Sequence, residues 1–149
     1  NHTVMKKALI LLVCTSFFSF AAYADNEDMI TTDQLPVVSQ QFIKKYFPNE
    51  PVAYAKYDPE FFDSAYEITF KSGNSIEFNK QGEWKDYECK TCIVPDELLP
   101  NEISSYIKEK YPDKNIVSIE RGKKTYEVKL SNGLELKFNL RGQLLEIDL

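Results

Sequence analysis

The spacing of apolar residues along this chain changes period in the same way twice. Phe42, Ile43, Tyr46 and Phe47 recur at the spacing of one helical face, and so do Ile103, Tyr106, Ile107 and Tyr111. Pro36 and Pro100 suit a helix's first turn, while Pro48 and Pro112 push the residue before them out of helical space. The spacing predicts two helices of about twelve residues. After each helix the period falls to 2. Tyr66, Ile68 and Phe70 alternate with Glu67, Thr69 and Lys71, Gly73 interrupts, and Ile76 and Phe78 alternate with Ser75, Glu77 and Asn79. Tyr126, Val128 and Leu130, Gly133, then Leu136 and Phe138 repeat that arrangement. Ser72-Gly73 and Asn132-Gly133 are hairpin dipeptides, and Gln81-Gly82 and Arg141-Gly142 mark a turn into a last strand. Val52 to Tyr57 and Ile116 to Arg121 fit an earlier strand in each half.

The two halves match as text as well as in period. Leu35 to Pro48 reads LPVVSQQFIKKYFP and Leu99 to Pro112 reads LPNEISSYIKEKYP, 64 positions on. Tyr66 to Gly82 matches Tyr126 to Gly142 at an offset of 60, so the first half carries four extra residues between its matched blocks. Self-similarity of this length predicts two copies of one unit, each too small to close a good core alone. The expected organisation is a signal peptide at 5–24, an N-terminal segment at 25–34, repeat 1 at 35–88, a connector at 89–98 and repeat 2 at 99–149, with both repeats packed as one compact unit. The fold class is α+β. Each repeat supplies one helix and a four-stranded antiparallel sheet, and the two sheets join edge to edge with both helices on one side.

The start of the chain changes the compartment. Lys6 and Lys7, an apolar run from Ala8 to Phe20 and Ala22-Tyr23-Ala24 read as a secretory signal cut before Asp25. Cys14 is a poor lipidation site, because Val13 stands where a small residue is expected and the apolar run continues past it. The run is too short to span a bilayer, and no later stretch approaches that length. Cleavage would remove Lys6 and Lys7 and take the formal net charge from −5 to −7. That charge argues against nucleic acid and anionic lipid as partners. His2, the sole histidine, would leave with the signal, which excludes Ser-His-Asp, Cys-His and H-E-x-x-H chemistry from the mature chain. Phosphate-cradling glycine loops and D-x-D-x-D-G calcium loops are absent from the sequence, and no cofactor is expected.

Three features are candidates for binding. Strict alternation places Tyr54, Lys56, Glu67, Thr69, Lys71, Ser75, Glu77, Asn79, Trp84 and Asp86, then Ser118, Glu120, Glu127, Lys129, Glu135, Lys137, Asn139, Leu144 and Glu146, on the sheet face away from the helices. Mixed acids and lysines there suit a solvated face with weak cross-strand pairs. Tyr54 and Trp84 among them suit the anchors of a protein interface, unless a register slip of one residue buries them. The second feature is the four-residue expansion, which falls in Asp58-Pro59-Glu60-Phe61-Phe62-Asp63. Phe61 and Phe62, flanked by Asp58 and Asp63, could enter a partner's cleft or fold back to shield the sheet edge; shielding is the commoner use of loop aromatics. The third is Cys89-Lys90-Thr91-Cys92 in the connector. A single C-x-x-C lacks the four ligands that zinc takes, Ile93 stands where haem attachment needs histidine, and Ile93-Val94-Pro95 is not a helix start that would activate a thiol. In an exported protein a disulfide between Cys89 and Cys92 is the plainest reading.

The motifs carried by Leu35-Pro36, Tyr46-Phe47-Pro48, Tyr66-Glu67-Ile68, Gly73, Gly82-Glu83-Trp84, Val94-Pro95, Leu99-Pro100, Ile103, Tyr106-Ile107, Tyr111-Pro112, Tyr126-Glu127-Val128 and Ser131-Asn132-Gly133 resemble the PepSY-like family of exported bacterial proteins. Its members look like tandem copies with the architecture of the β-lactamase inhibitory protein. The resemblance runs from about Leu35 to the last residue and brings no catalytic residues with it. It implies a noncatalytic periplasmic or secreted module that binds a protein partner, with a hydrolase or peptidase inhibitor as the narrower form. A thiol-redox or metal-handling envelope protein using Cys89 and Cys92 is the alternative. No motif names the partner or an oligomeric state.

Overall fold

The computed structural model describes residues 27–90 and 94–149; the expected signal segment, Cys14 and Cys92 lie outside the described residues. Among the described residues nine strands form one antiparallel sheet whose spatial order is the chain order. They are β1 Asp28–Ile30, β2 Val52–Tyr57, β3 Tyr66–Phe70, β4 Ser75–Phe78, β5 Trp84–Glu88, β6 Ile116–Arg121, β7 Thr125–Leu130, β8 Glu135–Asn139 and β9 Leu144–Asp148. Helix α1, Val37–Tyr46, precedes β2, and helix α2, Asn101–Lys110, precedes β6; each follows a short 3-10 turn. The described residues therefore form an α+β fold with a single large antiparallel sheet and two α-helices.

Each helix has ten residues, shorter than the apolar spacing predicts. Pro36 and Pro100 sit just outside the first turn with extended backbones, and Phe47 and Tyr111 leave helical geometry ahead of the following prolines. Both helices lie on one face. Phe42 of α1 packs edge-on against Phe78 and stacks on Trp84, and Phe47 meets Phe70 and Tyr87. In α2, Ile103 and Ile107 are buried and Tyr106 packs edge-on against Phe138. Under them runs one unbroken cross-strand row of core residues, Ala55, Ile68, Ile76, Tyr87, Ile119, Val128 and Leu136. Every member is fully buried, and burial of each large aliphatic side chain contributes about 1.5–3 kcal/mol.

Two features depart from the pattern expected of the sequence. Strand β1 lies in the N-terminal segment, where three residues are too few to show an alternation. It pairs with β2 through Met29 opposite Lys56 and Ile30 opposite Ala55. The second departure concerns Trp84 and Leu144, which strict alternation puts on the uncovered face. Phe78 pairs with Trp84 while Glu77 pairs with Asp86, so Lys85 is an extra residue. Phe138 pairs with Leu144 while Lys137 pairs with Glu146, so Leu145 is its counterpart. A bulge inverts the alternation on its far side and carries Trp84 and Leu144 to the helix face. Trp84 is 6% exposed, with the Arg121 guanidinium 5.5 Å above its ring. The turn before each bulge is locked in the same way. The Asn79 carboxamide accepts from the Glu83 N–H at 2.9 Å and donates to the Glu83 carboxylate, and Asn139 does both with Gln143.

The helix and the turn beneath it fit closely. Ser39 is fully buried in α1 and donates to the Gly82 carbonyl at 2.9 Å. Gly82 has φ of +85°, and a Cβ there would lie 2.7 Å from the Pro36 Cβ and 2.8 Å from the Ser39 Oγ. Gly133 has the same φ with nothing within 4 Å of such a Cβ. Gly133→Ala should therefore cost only backbone strain, about 1–2 kcal/mol. Gly82→Ala should cost that plus a steric term of about 1–3 kcal/mol. Urea unfolding of the two variants measures the difference, and equal losses would show that α1 does not press on this turn.

Candidate functional site

With both helices on one side, no other element among the described residues covers the other side of the sheet, and the registers show what it carries. One row across it is Met29, Lys56, Glu67, Glu77, Asp86, Glu120, Glu127, Lys137 and Glu146, one residue from each strand. Five consecutive members, Glu67 to Glu127, are acids placed directly opposite one another. The next row is Tyr54, Thr69, Ser75, Glu88, Ser118, Lys129, Glu135 and Asp148. Like charges facing each other across a ladder are destabilising.

Compensation is confined to the ends of the acidic run. Lys56 bonds the Glu27 carboxylate at 3.0 Å, Lys137 bonds Glu127 at 2.9 Å, and Lys129 lies 3.4 Å from Glu135. Among the described residues Glu77, Asp86 and Glu120 have no ion-pair partner. Burial, followed by the charges of Glu77, Glu88 and Glu120, pushes the Asp86 carboxyl up from 3.8 to about 7. Burial also raises Glu77, against a hydrogen bond from Ser64 that lowers it. Shallow depressions follow the row. One of about 300 Å³ is bounded by Lys56, Asp58, Phe61, Glu67 and Glu77, and one of about 630 Å³ by the acids Asp63, Glu77, Asp86 and Glu120 together with the cations Lys85, Arg121 and Lys123. A further one of about 260 Å³ takes in Asp86, Glu120, Glu127 and Glu135. The surface is an acidic trough crossing the strands.

The residues picked out by the sequence fall into three places. Tyr54 is on the uncovered face, 39% exposed, with the Lys56 ammonium 5.7 Å from its ring centre. Trp84 is not beside it; the bulge has moved it into the core, and it offers no surface to a partner. Asp58 to Asp63 form a pinned loop at one end of the trough. The Asp58 N–H donates to Ala65 O at 2.8 Å, the Glu60 N–H to the Asp58 carboxylate at 2.9 Å, and the Lys80 N–H to Phe62 O at 3.2 Å. Phe61 and Phe62 are 61% and 59% exposed, so neither folds back as an edge shield. Cys89 is buried and disulfide-bonded. A disulfide sulfur has no proton to donate, so its 3.1 Å approach to Ile116 O is a packing contact. Sequence reasoning named the acids one by one but did not align them, because only the strand registers place Asp86 between Glu77 and Glu120.

Comparison with known proteins adds a family. The matching family, described as "Putative beta-lactamase-inhibitor-like, PepSY-like", covers residues 64–146. A solved protein of Bacteroides thetaiotaomicron, described as a "putative calcium-regulated periplasmic protein", is 44% identical. The match covers 85% of this chain and 99% of that one, with a TM-score of 0.80. Two periplasmic proteins of Bacteroides vulgatus are 42% and 35% identical, with TM-scores of 0.77 and 0.76. Those matches cover 85% and 83% of this chain and 99% of each of theirs. Comparison with curated proteins finds no match.

The position of Asp86 gives a pH dependence of definite sign. Its folded-state pKa lies above its ordinary value, so between about pH 4 and pH 7 the folded protein holds more protons than the unfolded chain. This group therefore lowers stability as pH rises through that window and has no further effect above it. Asp86→Asn should match the parent at pH 4 and exceed it at pH 8. Because Asp86 is half-buried and partly screened by water, the expected gain is about 1–2 kcal/mol, less than the full energy of such a shift. Thermal unfolding at the two pH values checks it; a variant no more stable than the parent at pH 8 would show that the row is not under strain.

Proposed function

We propose that this chain, which belongs to the PepSY-like family, is a noncatalytic module acting outside the cytoplasm that receives the basic surface of a protein partner on its uncovered sheet face. The observation that carries this reading is the run of five facing carboxylates, Glu67, Glu77, Asp86, Glu120 and Glu127, whose middle three have no ion-pair partner among the described residues. A fold that keeps such a run gives up stability for it, and a cationic partner returns that stability on docking. The same field raises the rate of encounter with a positively charged surface.

The surroundings support a protein rather than a small molecule. The trough is shallow and crosses the sheet, and the exposed Phe61 borders one end of it as an apolar anchor beside a charged floor, with the exposed Phe62 next to it in the chain. Tyr54 extends the floor on the adjoining row. Three relatives at 35% to 44% identity carry periplasmic descriptions, which supports export after removal of residues 5–24. We read the two halves as tandem copies whose matched helices and hairpins build one surface. The family's description supports the narrower form, inhibition of a hydrolase, in which the loop would enter the enzyme's cleft. A disulfide-bonded, buried Cys89 favours a structural role over thiol chemistry.

A second reading follows from the description of the 44%-identical relative as calcium-regulated. Calcium takes oxygen ligands, and the acidic row is rich in them. Among the described residues no three acidic, histidine or cysteine side chains group as a metal cage. Calcium would then act by screening the row and competing with a basic partner. Capture from an envelope extract tests both readings, using as bait the mature protein, a Glu77→Lys/Glu120→Lys variant and a Phe61→Ala/Phe62→Ala variant. The expected result is one protein held by the parent and lost, by about tenfold or more, with the charge-reversed face. Release of that protein by millimolar calcium would add the second reading. An identical set of proteins on parent and charge-reversed baits would overturn the first.

A further inference from the structure

We propose that the open edge of β9 is a strand-addition site for an extended segment of another protein in which aliphatic and basic residues alternate. This goes beyond the sheet-face reading and does not depend on it, because it uses the backbone edge of the sheet. Among the described residues β9 pairs with β8 alone, so its outer side presents backbone N–H and C=O groups to whatever approaches.

The molecule already contains the completed version of this edge. Strands β5 and β9 each follow a locked asparagine turn and open with the same bulge. On β5 the outer side is taken by β6, with Asp86 opposite Glu120, Tyr87 opposite Ile119 and Glu88 opposite Ser118. Tyr87 is buried as a result, between Ile76 and Ile119 in the core row. The matching residue of β9 is Ile147, which lies opposite Leu136 and extends the same row by one step. It is 45% exposed, because no strand stands where β6 stands beside β5. Leu145, at the bulge position that Lys85 fills on β5, is exposed as well. An incoming strand with an aliphatic residue opposite Ile147 would continue the core row as Ile119 does.

Charge selects the kind of strand. On the uncovered side β9 shows Glu146 and Asp148. Lys137, opposite Glu146, bonds Glu127 at 2.9 Å and is shared with Glu146 and Asp148 only through the weaker attraction of their charges, and Asp148 lies opposite Glu135. In any two-fold pairing of β9 with a second copy, facing residues share a side of the sheet, so these acids would meet each other. A lysine or arginine on the incoming strand would instead meet opposite charge. Charge therefore favours a cationic segment over a second copy at this edge, even though the fold accepts facing acids where Asp86 meets Glu120.

The test uses the mature protein and two capped peptides, one alternating valine and lysine and one alternating valine and glutamate, followed by backbone amide exchange and by calorimetric titration. The lysine peptide should bind and slow exchange across 144–148 by about tenfold or more, and the glutamate peptide should not bind. Leu145→Glu/Ile147→Glu, which alters side chains already exposed, should abolish binding with the fold retained, and Glu120→Lys should still show protection of β9. Protection confined to strands β3 to β7 would place the peptide on the sheet face and overturn the proposal. Concentration-dependent self-association that protects β9 without peptide would overturn it in favour of a second copy.

Discussion

The pairing of β5 with β6 is the interaction on which the rest of this molecule depends. Only three residue pairs join these strands, yet they turn two helix-and-hairpin halves into one sheet. Tyr87 is central to the join. It sits opposite Ile119 and beneath Phe47, whose ring centre is 5.1 Å away, so α1 closes over a seam built from both halves. Burial pushes its hydroxyl up to about 12, assisted by the charge of Glu50 and opposed by a hydrogen bond with Asn74. The join also fixes which side is exposed: because the core residues of both halves fall in one row, both helices must cover the same side, and among the described residues nothing covers the other.

That bare side follows from the same register. Asp86 closes the first half and Glu120 opens the second, and pairing β5 with β6 sets them face to face. Glu67 and Glu77 then continue the line to one side and Glu127 to the other. Burial and mutual repulsion both act against ionisation, and Asp86, at the centre, is moved furthest from its ordinary value. A structure chosen only for stability would place a lysine in such a line, as it does at Lys56 and Lys137 on the flanks. The unpaired centre is where a partner's charge has most to gain, which is why the binding reading rests there and the loop aromatics are secondary.

Much of this architecture could be read from the sequence. Helical spacing between bracketing prolines located both helices, and glycine turns between alternating runs located β3 to β5 and β7 to β9. The segments after each helix fit the earlier strands β2 and β6, so that of the strands among the described residues β1 alone was missed. The misplacement of Trp84 and Leu144 has one physical origin: a bulge adds a residue without changing the apolar pattern, and parity counted from the turn then inverts. Strand β1 was hidden because its three residues borrow their order from β2. The loop shows a different limit. Phe61 and Phe62 are ordinary shielding residues by composition, and their exposure is visible only once the loop's backbone bonds to Ala65 and Lys80 are in place. Acids were visible one at a time, but a row exists only once registers are known.

If the β5–β6 seam makes the molecule one unit, its amides should open only with the whole fold. Native-state hydrogen exchange along a shallow denaturant series measures this directly. The structure predicts that amides of Tyr87 and Ile119 share the opening free energy and denaturant dependence of those in β3 and β7. Seam amides that open at markedly lower free energy, while β3 and β7 remain protected, would show two separable halves. The continuous acidic face would then not be a property of the native state.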